Sequence, residues 1–548
     1  MLLIECRNLK KYYEDRLILA IENLNIYSED RIGIVGVNGV GKTTLINILS
    51  KRLESDTGVV KLYGKHSYIS QLQEPEGKTI SKEMAEKFRV ASVYNENSSG
   101  GEKTRFKLAR AFDDESQLIF ADEPTSNLDI DGIELLEQKF QQYKGALVII
   151  SHDRSFLDKI CNKIMEIEEG KIKIYNGNFS DYINQKLMER QRAEFEYSQY
   201  TKEKRRLENT IIEISEKSKG MRKAPKRMGN SEARLHRKMG NQKSKAKLDK
   251  TVKAIESRID HLEVKDKPRN QEIIKLDFSD SNMLHSKVVI EGKSINRKYD
   301  KKVIFKDAEF YIENNSKVAL IGPNGCGKST LIKMIINNKQ EIKISKAAKI
   351  GYFSQDLKIL DENLTIIEDV MKTSIQSENY ARLLLARLLF KGDAVYKRIG
   401  VLSGGEKVKV AFAKVLLQDI NLLILDEPTN YMDITSLEVV EEALCDYDRS
   451  ILFVSHDRSF IKAVADNIMT IENYKIKVFK GNYNEYLAKK NNPVKKRNEI
   501  SEQILIMQNR LSEIMGRLSM PSKKDDVILL DKEYYEVLKE LNTLKARL

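Results

Sequence analysis

One pattern constrains this chain more than any other: an apolar strand that runs into a glycine-rich loop and then into a helix, written twice. The first copy, RIGIVGVNGVGKTTLINIL, contains Gly36-x4-Gly41-Lys42-Thr43, and the second contains Gly322, Gly327, Lys328 and Ser329. In strand–loop–helix context the glycines let backbone N–H groups wrap phosphate oxygens. The lysine then reaches the terminal phosphates, and the Thr or Ser hydroxyl can ligate Mg2+. Four further stretches recur in the same order. These are Gln71 in YISQ and Gln355 in GYFSQ; SSGGEKTR at Ser98–Arg105 and SGGE at Ser403–Glu406; Asp122-Glu123 and Asp426-Glu427 closing apolar strands; and His152 and His456 in identical SHDRSF contexts.

The spacing of the copies is informative. Asp122 and Asp426, Ser99 and Ser403, and His152 and His456 are each 304 positions apart, whereas Gly36 and Gly322 differ by 286 and Gln71 and Gln355 by 284. The register therefore moves by 20 positions, 304 against 284, between the glutamine and the SGGE stretch, and the first copy has the shorter segment. So regular a repeat is an internal duplication. A strand that ends in Asp-Glu places one carboxylate on a metal and the other beside a terminal phosphate.

The copies flank a different kind of segment. Between Gly177 and Gly220 there is no Gly or Pro, and Ala193, Tyr197, Tyr200, Leu207, Ile211 and Ile214 keep a 4-3 rhythm with Lys204 at the one seam position that is not apolar. Leu248, Val252, Ile255, Ile259 and Leu262 keep the same rhythm until Pro268. The two stripes predict long helices paired antiparallel along a coiled-coil seam, the first reaching roughly 50 Å. Residues 201–250 hold 17 Lys and Arg against 6 Asp and Glu, a net of +11 where the whole chain carries +13. A charged coiled coil is commonly a solvated spacer; the acid-poor turn between the helices argues instead for a polyanionic partner.

With 548 residues there is room for two or three domains with separate cores. No apolar run approaches the ~20 residues of a bilayer span, the N-terminus becomes charged too soon for a secretory signal, and Cys6, Cys161, Cys326 and Cys445 form no CxxC pair. These features predict a cytoplasmic chain with no membrane partner. Its pI near 9 suits nucleic acid or an anionic surface. After Pro493 a second helical pair is expected, with Ile500, Ile504, Met507, Leu511, Ile514 and Leu518 on one stripe. Met520-Pro521-Ser522 makes the turn, and Leu530, Tyr534, Val537, Leu541, Leu544 and Leu548 form the return. That hairpin is open to dimerisation, packing on the second copy, or RNA contact through Lys495, Lys496 and Arg497.

Taken together, the P-loop, Q-loop glutamine, SGGE signature, Asp-Glu strand and SHDR histidine resemble the ATP-binding cassette ATPases. Two cassettes on one chain, with no membrane domain and a charged helical linker of roughly 100 residues, resemble the ABC-F class. The resemblance implies an α/β fold: two P-loop ATPase domains in tandem, joined by a long antiparallel helical hairpin, with a C-terminal helical hairpin. The expected divisions are 1–182 and 287–490 for the cassettes, 183–286 for the linker with a tip loop near 217–243, and 491–548 for the extension. It also implies ATP hydrolysis with ATP and Mg2+. Glu123, Glu427, His152 and His456 would be catalytic, each Glu orienting the attacking water and each His sensing the γ-phosphate. Nucleotide contacts would come from Tyr13, Gly36, Asn38, Gly39, Gly41, Lys42, Thr43, Thr44, Gln71, Ser99, Gly100 and Gly101. In the second copy they would come from Tyr299, Gly322, Asn324, Gly325, Gly327, Lys328, Ser329, Thr330, Gln355, Ser403, Gly404 and Gly405. Thr43, Gln71, Asp122, Ser329, Gln355 and Asp426 would hold the metal. For Tyr13 and Tyr299, which look like adenine-stacking residues, an ordinary strand aromatic is the alternative. His66, His236, His261 and His285 are expected on the surface or on helix faces, and Cys326 as a small filler.

By the same resemblance the cassettes would pair head to tail within a monomer, so that Lys42, Asp122, Glu123 and His152 meet Ser403–Gly405, and Lys328, Asp426, Glu427 and His456 meet Ser99–Gly101. Members of the class act on the ribosome, with rRNA and tRNA as partners. One branch protects ribosomes from antibiotics through a linker tip, here Met221, Ala224, Pro225, Lys226, Arg227 and Met228. A housekeeping translation factor and the ATPase of an exporter are the competing readings. Two departures stand out. Ser98 occupies a position where the family usually has Leu, and Asn430-Tyr431-Met432-Asp433 stands where Asn-His-Leu-Asp is usual, so the two ATP sites are expected to be unequal.

Overall fold

The computed structural model describes every residue except 71–76, 97, 99, 221–230, 232–240, 266–283, 285, 300–301, 355–356, 431, 491–492, 520–526 and 546–548. Gln71, Gln355, Ser99, His236, His285 and all six candidate tip residues therefore lie outside the described residues. The chain divides into two compact units. One comprises Met1–Ile160, Glu166–Ile172 and Lys275–Leu548; the other comprises Cys161–Met165 and Lys173–Ile274.

In the first copy the elements are β1 (Leu2–Tyr13), β2 (Arg16–Tyr27), β3 (Arg31–Val35), α1 (Lys42–Leu49), β4 (Thr57–Leu62), β5 (His66–Ile69), α2 (Lys82–Phe88) and α3 (Gly100–Asp113). They continue with β6 (Leu118–Asp122), α4 (Ile130–Gln142), β7 (Ala146–Ile150), α5 (Arg154–Ile160), β8 (Lys163–Glu168) and β9 (Lys171–Asn176). The linker supplies α6 (Phe179–Gly220) and α7 (Asn241–Asp260). The second copy has β10 (Val288–Tyr299), β11 (Lys302–Glu313), β12 (Lys317–Ile321), α8 (Lys328–Ile336), β13 (Ile342–Ile344), β14 (Ile350–Phe353), α9 (Ile366–Met371) and α10 (Glu378–Arg387). It closes with α11 (Gly404–Leu416), β15 (Leu422–Asp426), α12 (Ile434–Asp446), β16 (Ser450–Val454), α13 (Arg458–Val464), β17 (Asn467–Glu472), β18 (Lys475–Lys480) and α14 (Tyr483–Lys490), followed by the extension helices α15 (Pro493–Ser519) and α16 (Val527–Lys545).

Each cassette sheet is parallel where it carries the chemistry. In the second, the order is β14-β15-β16-β12-β17-β18, with β14, β15, β16, β12 and β17 paired parallel and β18 antiparallel. The first repeats the block β5-β6-β7-β3 with parallel pairing. Every residue of β6, β7, β15 and β16 is buried. That is why LIFAD, ALVII, LLILD and SILFV are continuous apolar runs rather than alternating ones: both faces of the sheet are covered. Small antiparallel sheets, β2-β1-β4 and β11-β10-β13, complete the cassettes. His66 sits on β5 with its ring edge-on to Phe120 at 5.9 Å, so the expectation of a surface or helix-face histidine is corrected for this residue. The strand alternation that points Ser67 into the core leaves the imidazole against an aromatic neighbour.

Within the other unit, α6 runs for 42 residues, about 63 Å at 1.5 Å per residue, longer than the apolar stripe alone implied. The seam lies where the rhythm put it: Leu207 is buried, while Tyr197, Tyr200, Lys204, Ile211 and Ile214 are half-buried against the half-buried Leu248, Val252, Ile255, Ile259 and Leu262. Ala193 is exposed. Three cross-links show the antiparallel register: Glu196 with Lys265 at 3.4 Å, Glu203 with Arg258 at 3.2 Å, and Ser218 with Asp249 at 3.0 Å. In the extension, α15 starts at Pro493, where a missing N–H costs nothing. Ile514, Leu530 and Val537 form a small core with Met507, Leu511, Leu518 and Tyr534 packed on it.

Candidate active site

Both P-loops arise from the same local geometry. β3 and β12 deliver the chain to Gly36 and Gly322, and Gly41 and Gly327 cap α1 and α8 in the left-handed region, φ 106° and 113°. A Cβ at Gly41 would lie 2.7 Å from Ile18 Cγ2, and at Gly327 2.4 Å from Ile304 Cγ2, so glycine is required by space as well as by φ. Lys42 Nζ donates to Gly36 O at 2.7 Å, Val37 O at 3.3 Å and Asn38 Oδ1 at 3.3 Å. Lys328 Nζ donates to Gly322 O at 2.8 Å and Pro323 O at 3.2 Å. Both lysines are buried, their ammonium groups curled onto the loop's own carbonyls. Burial pulls the Lys42 pKa down, opposed by Glu123, Asp433 and Asp122. Tyr13, at the end of β1, is 51% exposed and thus open to stacking, and Tyr299 occupies the matching end of β10.

The carboxylates follow from the strand ends. Asp122 closes β6 and takes a hydrogen bond from Thr43, while its burial raises the pKa; Asp426 closes β15. Glu123 and Glu427 come next, both with φ 51°, a strained value for a non-glycine residue. Their N–H groups donate to Ile150 O at 2.9 Å and Val454 O at 3.0 Å, which turns each side chain out of the strand line. Burial pushes Glu123 up to about 8, with Asp122 adding to the effect and Lys42 opposing it. Burial likewise pushes Glu427 up to about 7.

His152 Nε2 lies 3.3 Å from Glu123 Oε1, and His456 Nε2 lies 3.3 Å from Glu427 Oε1. Burial drives both imidazoles down to about 3, assisted by Lys42 and Lys328 respectively, so both are neutral. Among the described residues, His152 Nδ1, His456 Nδ1 and Glu123 Oε1 are buried without a hydrogen-bond partner. Orphaned polar atoms of this kind belong where a ligand completes the set.

Opposite each P-loop stands the other cassette. Asn324 donates its backbone N–H to Asp129 Oδ2 at 2.9 Å and its amide to Asn127 O at 2.7 Å. A Cβ on Gly101, in the first signature, would sit 3.0 Å from that same amide nitrogen. In the mirror site, Asn38 N–H approaches Asp433 Oδ2 at 3.5 Å, and Lys409 from the signature helix α11 holds the same oxygen at 3.0 Å. Burial of Asp433 raises its pKa, but Lys409, Thr435 and Ser436 overcome this and hold it far below the carboxylate range. Ser403 caps α11 in a box with Glu406, and Gly404 and Gly405 form its first turn; Gly100 and Gly101 open α3. The second P-loop thus meets the first signature through Asn324 and Gly101, and the first P-loop meets the other cassette through Asn38 and Asp433, a head-to-tail arrangement.

Asp433, which ends the Asn430-Tyr431-Met432-Asp433 stretch, and Asp129 at the same place in the first copy cap α12 and α4 and also reach the opposite P-loop. Glu137 and Glu441 share the 304-residue offset but lie in no motif. They lie mid-helix and pair across the interface with Arg458 and Arg154, whose Nη1 atoms are 3.2 Å and 3.0 Å from the respective carboxylates.

Comparison with known proteins agrees with this geometry. A family model described as ABC transporter matches residues 19–89 and 305–430, and a companion model with the same description matches 165–232. The chain is 31% identical over 462 residues to the erythromycin resistance ATP-binding protein MsrA of Staphylococcus epidermidis, covering 82% of this chain and 93% of that protein. It is 28% identical over 557 residues to the ribosome protection protein VmlR of Bacillus subtilis, covering 100% and 98%. The solved structure of an RNase-L inhibitor matches with a TM-score of 0.59 at 20% identity, over 88% of this chain and 93% of that one, a likeness of fold. With two cassettes in tandem and relatives matched along nearly their whole length, the chain belongs to the ABC-F class of ATP-binding cassette proteins and is an ATP hydrolase.

Proposed function

We propose that this ATPase works on the ribosome, where ATP-dependent pairing of its cassettes presents the linker tip near the peptidyl-transferase region and protects translation from antibiotics bound there. The observation that carries the reading is the head-to-tail apposition of each P-loop with the other cassette, Asn324 on Asp129 and Asn38 beside Asp433, in a chain that matches a ribosome protection protein from end to end. Two nucleotides held between the cassettes would favour the closed arrangement because each contributes contacts that only the closed arrangement makes. The output is a conformational preference, not group transfer to a second substrate.

The residues present fit ATP with Mg2+. Bound between the phosphates and the protein, Mg2+ would neutralise charge on the β- and γ-oxygens. Thr43 and Asp122, already hydrogen-bonded to each other, would hold it in the first site, and Ser329 with Asp426 in the second. Gln71 and Gln355 are the further candidates. Among the described residues no cluster of three or more His, Cys, Asp or Glu stands ready to bind a metal alone, as expected if the nucleotide supplies the remaining ligands. Lys42 and Lys328 would exchange loop carbonyls for terminal phosphate oxygens. Glu123 and Glu427 would orient and polarise the attacking water, and neutral His152 and His456 would donate toward the transferred phosphoryl group. Glycines 36, 39, 41, 100, 101 and their second-copy counterparts would let backbone N–H groups approach the nucleotide.

No helix among the described residues is long and apolar enough to cross a membrane, and the basic hairpin has no evident task in an exporter. The test is expression in a sensitive host with residues 219–243 replaced by a short Gly/Ser turn. The seam residues Leu207–Ile214 and Leu248–Leu262 stay in place, as do both ATP sites. Drug tolerance should disappear while ATPase activity and most ribosome affinity remain; full tolerance in the shortened protein would return the chain to a housekeeping role.

A further inference from the structure

The two cassettes differ in one place that the ATPase reading does not use. In the second, α10 lies between α9 and the signature helix α11, and its Ala381, Leu384, Leu385 and Leu388 are buried in the core. The first cassette has 20 fewer positions here. Its α2 ends at Phe88, and the chain returns at once to the short Thr79–Val93 bridge, the counterpart of the Thr365–Arg398 bridge. Among the described residues of the first cassette no helix stands in the place of α10.

Beside α2 lies a cavity of about 400 Å3 lined in part by Ala85, Val90, Tyr94, Ser98 and Phe106. Counted from the two ends of the bridge, at offsets of 286 and 305, Ala85, Val90 and Tyr94 correspond to Met371, Val395 and Ile399; counted from the signature, at an offset of 304, Ser98 and Phe106 correspond to Leu402 and Val410. Val395, Ile399, Leu402 and Val410 belong to the same buried core as Leu384, Leu385 and Leu388, and Met371 is half-buried against it. Ser98, the departure from the usual Leu, widens the cavity where Leu402 would fill it. Val93 on the cavity wall is 58% exposed, and Glu86, Arg89, Asn95, Glu102 and Lys103 also line the cavity and make it nearly as polar as it is apolar.

We propose that this cavity is a docking groove for an amphipathic helix of a partner protein, bearing small and leucine-like side chains at i, i+3, i+4 and i+7. That is the spacing with which α10 fills the equivalent space, and the spacing by which helices lie in apolar grooves generally. The duplicated cassette thus supplies its own template for the occupant.

The probe is the α10 segment itself, a labelled peptide of residues 377–390, titrated against the full-length protein by fluorescence anisotropy. Saturable binding is expected, and Val93→Arg should weaken it about tenfold or more, about 1.4 kcal/mol, by placing a charge on the apolar wall. Ala85→Met, which fills the floor with the second copy's side chain, should do the same, with ATPase activity unchanged in both. A peptide carrying Asp at the positions of Leu384 and Leu388 should not bind. Absence of binding up to about 1 mM, or binding indifferent to both substitutions, would overturn the proposal. So would concentration-dependent dimerisation that Val93→Arg abolishes, because the groove would then be taken by a second copy.

Discussion

The hydroxyls of Ser155 and Ser459 lie 2.7 Å apart although 304 residues separate them in sequence. They are the same position of the two SHDRSF motifs, so a local two-fold relation passes between them. The ion pairs on either side obey it: Arg154 pairs with Glu441, and Arg458 with Glu137, each bidentate and each crossing from one cassette to the other. Arg458 also faces Asp153 at 3.8 Å. Asp153, whose burial pushes it up to about 6, feels Asp457 as well. The motif that carries His152 and His456 therefore also builds the contact between cassettes.

Removing one partner of such a pair leaves a buried charge uncompensated. Arg458→Ala should destabilise the paired cassettes by about 3–5 kcal/mol, since Arg458 and Glu137 are both almost fully buried. Denaturation of the single variants and of Arg458→Ala/Glu137→Ala would check it. The double variant should lose less than the sum of the singles, and strict additivity would mean that the two residues are not coupled.

Replacing Glu123 and Glu427 together by Gln keeps side-chain volume and removes both carboxylates proposed to orient the attacking water. ATP binding should persist while turnover falls by about 10^2-fold to 10^4-fold. If closure drives ribosome binding, the double variant should sediment with ribosomes in ATP far better than without it. Equal sedimentation in both conditions would break the link between nucleotide and ribosome.

Gly41→Ala and Gly327→Ala each force a Cβ into a neighbouring isoleucine from a left-handed backbone. The clash lies directly at the cap of the helix that faces the phosphates. Each variant should lose ATP at one site, with a cost of several kcal/mol in local geometry, on the order of 1–3 from φ alone. Equilibrium dialysis should show stoichiometry falling from two nucleotides to one; a retained second site in both variants would show that the loops relax.

If the linker binds RNA as proposed, ribosome affinity should fall steeply with salt, because its Lys and Arg would displace counterions from RNA phosphates. For Z contacts the slope of log K against log salt is about −0.7Z to −0.9Z, so a handful of contacts gives a slope of several units. Binding measured between low and physiological salt tests it, and a flat response would remove RNA from the list of partners.

How far the sequence reached depends on whether the physics is local. Strand burial was legible in LLILD and SILFV because a two-sided parallel sheet demands uninterrupted apolar residues. The helical hairpins were legible because a seam imposes a 4-3 rhythm, and Tyr197 through Leu262 keep it. The P-loop was legible because Gly41 must adopt φ 106° beneath Ile18. The candidate site was legible only as a repeated order of motifs, of which Gln71, Gln355 and Ser99 lie outside the described residues.

By itself, then, the sequence determined the duplication, the α/β class, the helical linker and the residue types at each nucleotide site, because each is written in contiguous residues with a period or a fixed spacing. Only the tertiary structure decided which distant groups meet. Asn324 finds Asp129 across 195 positions and Arg458 finds Glu137 across 321, and no local pattern marks a mid-helix glutamate as an interface partner. Tertiary burial also set the charge states, lifting Glu123 and Glu427 and holding His152 and His456 neutral, since desolvation depends on what packs around a group rather than on its neighbours in the chain. The open groove beside α2 was decided the same way: a 20-residue difference in spacing is visible in the sequence, but that it leaves a cavity lined by Phe106 and Ser98 follows only from where α10 packs in the second cassette.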